Sequence, residues 1–343
     1  MKRQVMNKWF VWFFCVVDLA VTPLSGWAMS PSPPMMSVNV APTSPVIGLG
    51  ASTGEGLGIS LLIEQGRRST RRQGSTNVSN PDNEKTSNFR AALLADYRFS
   101  RDITGILSIP YVFTEATYTN TSQTTNSLGD IAVLGKYSFY KDRLFSPTHE
   151  LLGILGVEFS TGSTSAKDST GNLLTATQQP GSGTTDFILG GAWILRRPDF
   201  SLYGDLSYKI NGNSSYQFGN PFALNAGLNY PIRKKFSLVG EINSQFTAQD
   251  RSNQQGPGVL SNGVVRDTGG ETVYLSPGFQ WRPAVAWGIQ LGVQLPVYQN
   301  LRGTQLASNA NITFGLTYRF GVEEKGKMME MEKEMEMEKG MMK

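Results

Sequence analysis

Between residues 56 and 320, apolar and polar residues alternate in segments that polar or glycine-rich connections separate. The alternation is clearest in 287–297 and 310–320, where every second side chain is apolar and the residues between are mostly small or polar. Successive side chains of a strand point to opposite faces, so each segment has one apolar and one polar face. Each segment has the length of roughly ten residues that a membrane-crossing strand needs.

The number and spacing of these segments predict a closed barrel. Longer polar connections, such as 66–87, 162–184 and 248–270, alternate with short ones. Outer-membrane barrels combine short periplasmic turns with long external loops. We therefore predict an all-β fold, a transmembrane antiparallel up-and-down β-barrel of about 12 strands over 56–320, with these loops outside. The predicted strands are 56–65, 88–99, 103–116, 128–140, 151–161, 185–195, 200–210, 221–232, 236–247, 271–281, 286–298 and 310–320.

Aromatic residues cluster where the predicted strands meet the short turns. Such rings favour the headgroup level of a membrane, so they predict an interfacial girdle. Three prolines, Pro110, Pro277 and Pro296, fall inside predicted strands, where each removes a hydrogen-bond donor from the ladder. The predicted girdle consists of Phe99, Phe139, Tyr140, Trp193, Phe200, Tyr230, Phe236, Trp281, Trp287 and Phe320.

The N-terminal segment resembles an export signal. Residues 1–28 combine a basic start, an apolar stretch and small residues at Gly26 and Ala28, which predicts a cleaved signal peptide; a retained membrane anchor is the alternative. The single cysteine, Cys15, lies inside it, so the mature chain is expected to contain no disulfide. Residues 29–55 form a Pro/Ser/Met-rich linker.

Composition narrows the possible functions. Charged residues make up 17% of the chain and hydrophobic residues 39%, which excludes a charge-rich disordered protein. The net charge of +4 is spread along the chain, so no nucleic-acid partner is expected. His149 is the only histidine, and no nucleophile elbow or phosphate-binding loop occurs. We therefore expect neither enzymatic activity nor a cofactor.

The polar faces of the strands supply the candidate functional residues. If the apolar faces contact lipid, the polar faces line the lumen, where charges are paired or solvated. One hypothesis is that these side chains form ion pairs that stiffen the wall, and another is that they form the pathway of a small solute. The candidates are Arg90, Asp96, Arg98, Asp130, Lys136, Glu158, Asp186, Asp205, Lys209, Glu241, Gln290, Gln294 and Arg319.

The segment 321–343 is rich in Met, Glu and Lys and is predicted to be a periplasmic tail. Thioether sulfur suits soft metals such as Cu(I). A solvated low-complexity tail, a partner-docking helix and a soft-metal site are the three interpretations. The soft-metal candidates are Met328, Met331, Met335 and Met337.

Several motifs resemble an outer-membrane β-barrel transporter-like family named after the MetA pathway of phenol degradation. The resemblance covers roughly 90–320 and implies a barrel that moves hydrophobic or aromatic compounds. The resembling segments are Leu128-Gly129-Asp130-Ile131, Gly156-Val157-Glu158-Phe159-Ser160-Thr161-Gly162, Gly181-Ser182-Gly183-Thr184-Thr185-Asp186, Leu295-Pro296-Val297-Tyr298, Gly303-Thr304-Gln305-Leu306 and Tyr318-Arg319-Phe320.

Together these features predict a channel or transporter in the Gram-negative outer membrane, reached by signal-peptide export. Its solutes are expected to be small molecules, aromatic or otherwise hydrophobic. Its other expected partners are outer-membrane lipid and the barrel-assembly machinery. Two alternatives remain open: a structural or adhesive surface barrel whose external loops carry the function, and a metal-handling porin that uses the Met-rich tail.

Overall fold

The computed structural model describes residues 56–143, 147–168, 171–256 and 258–321. The predicted signal peptide, the linker and the Met-rich tail lie outside these residues. The described residues form a closed antiparallel barrel with a wall of eleven strands and two further short strands at its margin. None of the described segments is a helix long and apolar enough to cross a membrane.

The strands follow one another around the barrel in chain order. Two of the four additional strands, β2 and β5, extend the main sheet, and β10 and β13 pair with each other. The wall strands are β1 Gly56–Gly74, β3 Lys85–Arg98, β4 Ile103–Thr117, β6 Ile131–Lys141, β7 His149–Phe159, β8 Asp186–Arg196, β9 Ser201–Ile210, β11 Pro221–Arg233, β12 Phe236–Thr247, β14 Gly270–Trp281 and β15 Trp287–Arg319. The additional strands are β2 Thr76–Asn77, β5 Ser122–Leu128, β10 Tyr216–Gln217 and β13 Arg251–Ser252.

The last strand closes the barrel and folds back on itself. The first part of β15 pairs with β14 and the second part pairs with β1, from Gly58 opposite Arg319 to Gly74 opposite Leu301. Within β15, Gln299 and Ser308 exchange two hydrogen bonds of 2.9 Å each. The chain therefore passes along the described wall about twelve times, as the sequence predicts.

Connections of different length separate the two ends of the barrel. We call the end with connections 99–102, 197–200 and 234–235 the short-turn end. The opposite end carries the connections 160–185 and 248–269, and we call it the long-loop end. This arrangement agrees with the predicted alternation of short and long connections.

Two predicted connections are largely strand, which corrects their assignment as loops. Strand β1 continues through predicted loop 66–87 as far as Gly74, and β15 continues through predicted loop 299–309. These two extensions pair with each other beyond the membrane-crossing part of the barrel. The β1 extension is polar on both faces, and the β15 extension has only scattered apolar residues, so the alternation that reveals a half-buried strand is missing there.

The in-strand prolines lie where the ladder is interrupted or changes partner. Register pairs of β14 with β15 run from Leu275–Leu295 directly to Gly278–Gly292, so Pro277 lies in a gap of that ladder. Pro110 lies where β4 changes its partner from β6 to β5. A missing proline N–H costs little at such positions, because no neighbouring carbonyl depends on it.

The outer surface of the barrel is apolar. Leucine, isoleucine and aromatic side chains on alternate positions are exposed, for example Leu155 at 66% and Leu291 at 49%. Most of the predicted girdle residues are exposed near the short-turn end, including Phe99, Phe139 and Tyr230. A closed barrel with an apolar outside is the arrangement that satisfies backbone hydrogen bonds in lipid.

Candidate functional site

The candidate residues from the sequence lie on the inward side of the wall. None of the thirteen side chains is exposed, and six are buried. Most of them alternate with exposed residues of the same strands. Whether they form a solute pathway remains a prediction. The six buried ones are Asp96, Asp130, Glu158, Asp186, Asp205 and Lys209.

Apolar side chains also lie on the inward surface, which corrects the expectation that polar faces alone line the lumen. Eight aliphatic side chains from β1 to β8 point inward, pack together and are at most 9% exposed. We call them the apolar band. Strands such as β7 and β8 are apolar on both faces, so periodicity alone cannot say which face is inside. The apolar band consists of Leu62, Leu94, Ile106, Leu134, Leu152, Ile154, Ile188 and Ile194.

The inward surface of β9 to β14 carries a chain of polar side chains instead. Asn225 donates to Asp205 at 2.8 Å, and Asn243 donates to Asn225 at 3.2 Å. Ser276 donates in turn to the side-chain oxygen of Asn243. These contacts connect four strands in sequence around the wall. The inward surface therefore combines the apolar band on β1 to β8 with this polar chain on β9 to β14, and charged residues occur on both parts.

Charged residues collect near the short-turn end. The guanidinium of Arg319 contacts Asp96 at 3.0 Å, and that of Arg196 contacts Glu150 at 2.8 Å. Arg98 lies within electrostatic range of both pairs. The candidates Asp96, Arg98 and Arg319 therefore belong to one network of alternating charges, which keeps each charge close to an opposite one.

A second buried charge cluster lies toward the long-loop end. The ammonium of Lys209 contacts the carboxylates of Glu158 and, at 2.8 Å, Asp186. Asp186 also accepts hydrogen bonds from the Thr184 hydroxyl at 2.6 Å and the Gly212 N–H at 2.9 Å. These donors offset much of the cost of burying two carboxylates beside one cation.

Asp130 ties the long connection 160–185 to the barrel. Its carboxylate accepts the N–H groups of Gly162 at 2.8 Å and Ser182 at 2.7 Å. These two residues come from the two ends of the connection, and a Cβ on Gly181 would lie 2.4 Å from the Gly162 carbonyl oxygen. Only glycine permits so close an approach of two backbone segments. We call residues 160–185 the tethered loop.

Asp130→Ala is expected to free the tethered loop. The substitution removes two hydrogen bonds to a charged acceptor, each worth about 1.5–3 kcal/mol. Trypsin cleavage after the exposed Lys167 should then become at least about tenfold faster on the folded protein. Asp199→Ala, in an exposed turn at the opposite end, is the matched control and should leave the cleavage rate unchanged. Equal rates in both variants would show that Asp130 does not hold the loop.

A cavity of about 100 Å³ opens at the long-loop end, between β1, β9, β11, β12, β14 and β15. Arg68, Lys209 and Asp250 are its charged lining residues. Asp250 accepts hydrogen bonds from the Tyr216 hydroxyl at 2.6 Å and the Gly219 N–H at 2.8 Å. Burial raises the pKa of Asp250, and these two hydrogen bonds oppose that rise.

Sequence reasoning missed several residues of the interior. Arg68 was assigned to a predicted loop, yet it lies on β1 and lines the cavity. The residues of the apolar band were also missed, although doubly apolar strands such as 151–155 carried a signal for them. The contact between Asp130 and Ser182 joins positions 52 residues apart, and nothing local in the sequence marks it.

Among the residues that the structure describes, no cluster of three or more His, Cys, Asp or Glu side chains suited to a metal ion occurs. His149 is the first residue of β7, and its ring packs against that of Trp193 with centroids 6.1 Å apart. The four soft-metal candidates of the tail lie outside the described residues.

A solved outer-membrane channel shares the barrel fold of this chain. The COG4313 outer membrane channel from Pseudomonas putida F1 superposes with a TM-score of 0.59 at 14% identity, over 78% of this chain and 96% of that chain. The translocator domain of the autotransporter NalP from Neisseria meningitidis gives a TM-score of 0.44 at 14% identity, over 79% of this chain and 90% of that chain. No curated protein matches the sequence at a significant level.

A family model covers most of the chain and agrees with the resemblance noted in the sequence. Residues 52–314 match the model described as "Putative MetA-pathway of phenol degradation". The match includes all wall strands apart from the last few residues of β15. The chain therefore belongs to this family of β-barrel proteins.

Proposed function

We propose that the protein is a passive outer-membrane channel for small hydrophobic or aromatic molecules. The observation that carries this proposal is the apolar band, which places eight aliphatic side chains on the inward face of a barrel whose outward face is apolar as well. In a water-filled barrel, the inward-facing side chains are polar. At this narrow level of the lumen, apolar side chains favour contact with a hydrophobic solute over contact with an ion.

The opposite side of the lumen fits the same solutes. The chain from Asp205 through Asn225 and Asn243 presents amide groups, and the neighbouring Glu241 accepts a hydrogen bond from the Tyr203 hydroxyl. Amide groups can hydrogen-bond a phenolic or carboxyl oxygen. The proposal is supported by the name of one structural neighbour, which is called an outer membrane channel.

The location and orientation form part of the proposal. The signal peptide would deliver the chain across the inner membrane, and the barrel-assembly machinery would insert it into outer-membrane lipid. The tethered loop and 248–269 would then face outside, and the short-turn end would face the periplasm. This orientation puts the cavity beside Arg68 at the outer mouth of the barrel.

Entry of a hydrophobic fluorescent probe into cells tests the proposal. An intact outer membrane slows N-phenyl-1-naphthylamine, so a porin-deficient Gram-negative host that expresses the protein should take it up several-fold faster than the empty-vector host. Leu134→Gln puts a polar group into the apolar band at similar volume and should reduce this gain several-fold. Val133→Gln makes a comparable change one residue away on the lipid face and should preserve it. Probe entry equal to that of the empty-vector host would refute the channel.

A structural barrel is the second candidate, and the two charge clusters favour it. The Lys209–Asp186 pair links the neighbouring strands β9 and β8, and the Arg319–Asp96 pair links β15 to β3 across β1. Both pairs stiffen the wall without any need for a solute. The apolar band is nearly inaccessible to solvent, so the lumen is narrow at that level. In this case the probe would not enter faster, whereas loss of the protein would weaken the envelope against detergent.

A further inference from the structure

The cavity at the long-loop end has the size of a small organic molecule. Its volume is about 100 Å³. A dry engineered cavity of about 150 Å³ holds benzene. This cavity has about two thirds of that volume, so a single aromatic ring would fill it and part of the ligand would reach toward the mouth.

Cationic side chains outnumber acidic ones on the cavity wall. Arg68 keeps its charge at any physiological pH, because a guanidinium does not lose its proton in proteins. Its five N–H donors allow it to contact protein neighbours and a ligand at the same time. The second cation, Lys209, lies between the cavity and its partners Glu158 and Asp186, which are not part of the lining.

The single acidic group of the lining is already occupied. Both oxygens of Asp250 accept hydrogen bonds, from Gly219 and from Tyr216. The carboxylate of Asp250 is therefore already bound to donors of the protein, and it would bind a ligand cation only weakly. Arg68 is therefore the lining charge that a ligand anion would contact, and a guanidinium matches the shape of a planar carboxylate.

Apolar side chains complete the cavity. Phe218, Pro221, Leu301 and Leu306 line it together with the polar groups. Inorganic anions gain nothing from such surfaces, whereas a molecule with a hydrocarbon body buries apolar area against them. The combination selects an anion that has a compact apolar part.

We propose that this cavity binds a small monocarboxylate with an apolar body of up to one aromatic ring, and that Arg68 receives the carboxylate. The site rests on the proposed function and narrows it, because it selects one class among the hydrophobic or aromatic solutes. Its position at the long-loop end makes it the first stop of a solute that enters from outside.

Calorimetric titration of the purified full chain in detergent with benzoate tests the site. Benzoate should bind, and benzamide and benzylamine, which have the same ring without the negative charge, should bind at least about tenfold more weakly. Arg68→Gln should weaken benzoate binding about 10- to 100-fold, the effect of a lost charge-assisted contact. Arg67→Gln removes the neighbouring arginine, which is exposed, and should leave the affinity unchanged.

Benzamide or benzylamine binding as tightly as benzoate, or an Arg68→Gln variant that binds benzoate like the unaltered chain, would overturn the proposal. The comparison of ligands needs no variant, so it decides even if Arg68→Gln fails to fold. Faster entry of N-phenyl-1-naphthylamine without benzoate binding would remove this site and leave the channel in place. Benzoate binding without faster entry of the probe would support this site and contradict the proposed channel.

Discussion

Removal of residues 310–343 is expected to prevent stable insertion of the barrel. The deletion takes away the half of β15 that pairs with β1 between Gly58–Arg319 and Gln65–Ile312. The exposed edges of β1 and of the remaining wall would then leave unpaired N–H and C=O groups in hydrocarbon, where each costs several kcal/mol. Membrane fractions should contain no heat-modifiable, folded species on an electrophoretic gel.

Deletion of 321–343 is the matched control. It keeps every register pair between β15 and β1 and leaves Phe320 as the last residue. The tail is rich in Glu and Lys, which are costly inside a membrane, so we expect the shortened barrel to fold as the full chain does. A folded 310–343 deletion, or an unfolded 321–343 deletion, would contradict closure by β15.

Leu291→Arg is expected to lower the free energy of unfolding by roughly 2–4 kcal/mol, the cost of an arginine on the lipid face near the bilayer midplane. Leu291 is 49% exposed on the outer surface and pairs with Phe279, two register pairs from the Trp281–Ile289 end of the β14–β15 ladder. The arginine side chain at this position would have to lie in lipid or extend to the membrane interface, which costs side-chain conformational entropy. Urea titration of the protein in phospholipid vesicles measures the change.

Gln294→Arg, three residues further on the same strand, is the control for the inward face. Gln294 accepts a hydrogen bond from Asn311 at 3.1 Å, among other neutral polar groups. An arginine there can keep its guanidinium among polar groups and water, so we expect a loss of roughly 1 kcal/mol or less. Equal losses for Leu291→Arg and Gln294→Arg would mean that the assignment of inner and outer faces is wrong.

The sequence predicted the barrel because the alternation of a strand depends only on residues that are close together in the chain. Period-two alternation in segments such as 310–320 follows from strand geometry with lipid on one side. The predicted strand bounds agree with the structure to within a few residues at most ends, for example 236–247 for β12. The alternation fails where both faces meet the same environment, as in the polar extension of β1 or the apolar strand β8.

The interior depends on contacts between distant residues, which one-dimensional patterns do not encode. The sequence placed Asp130, Glu158 and Asp186 on the inside, but only the closed barrel pairs Glu158 with Lys209 and directs Asp130 to the tethered loop. The same holds for the cavity, because Arg68 meets residues of β9 and β14 only after β15 has closed the sheet onto β1.

By itself, the sequence determined the all-β class, the number of passes along the wall, the two kinds of connection and the apolar outer surface. These properties follow from the period of a strand and from the requirement that lipid-facing side chains be apolar. Tertiary structure decided that the inward surface combines an apolar band with a polar chain, which charges pair, and where a cavity opens. The physical reason is that curvature and register bring together side chains far apart in sequence, and their packing and electrostatics depend on distances that only the closed barrel sets.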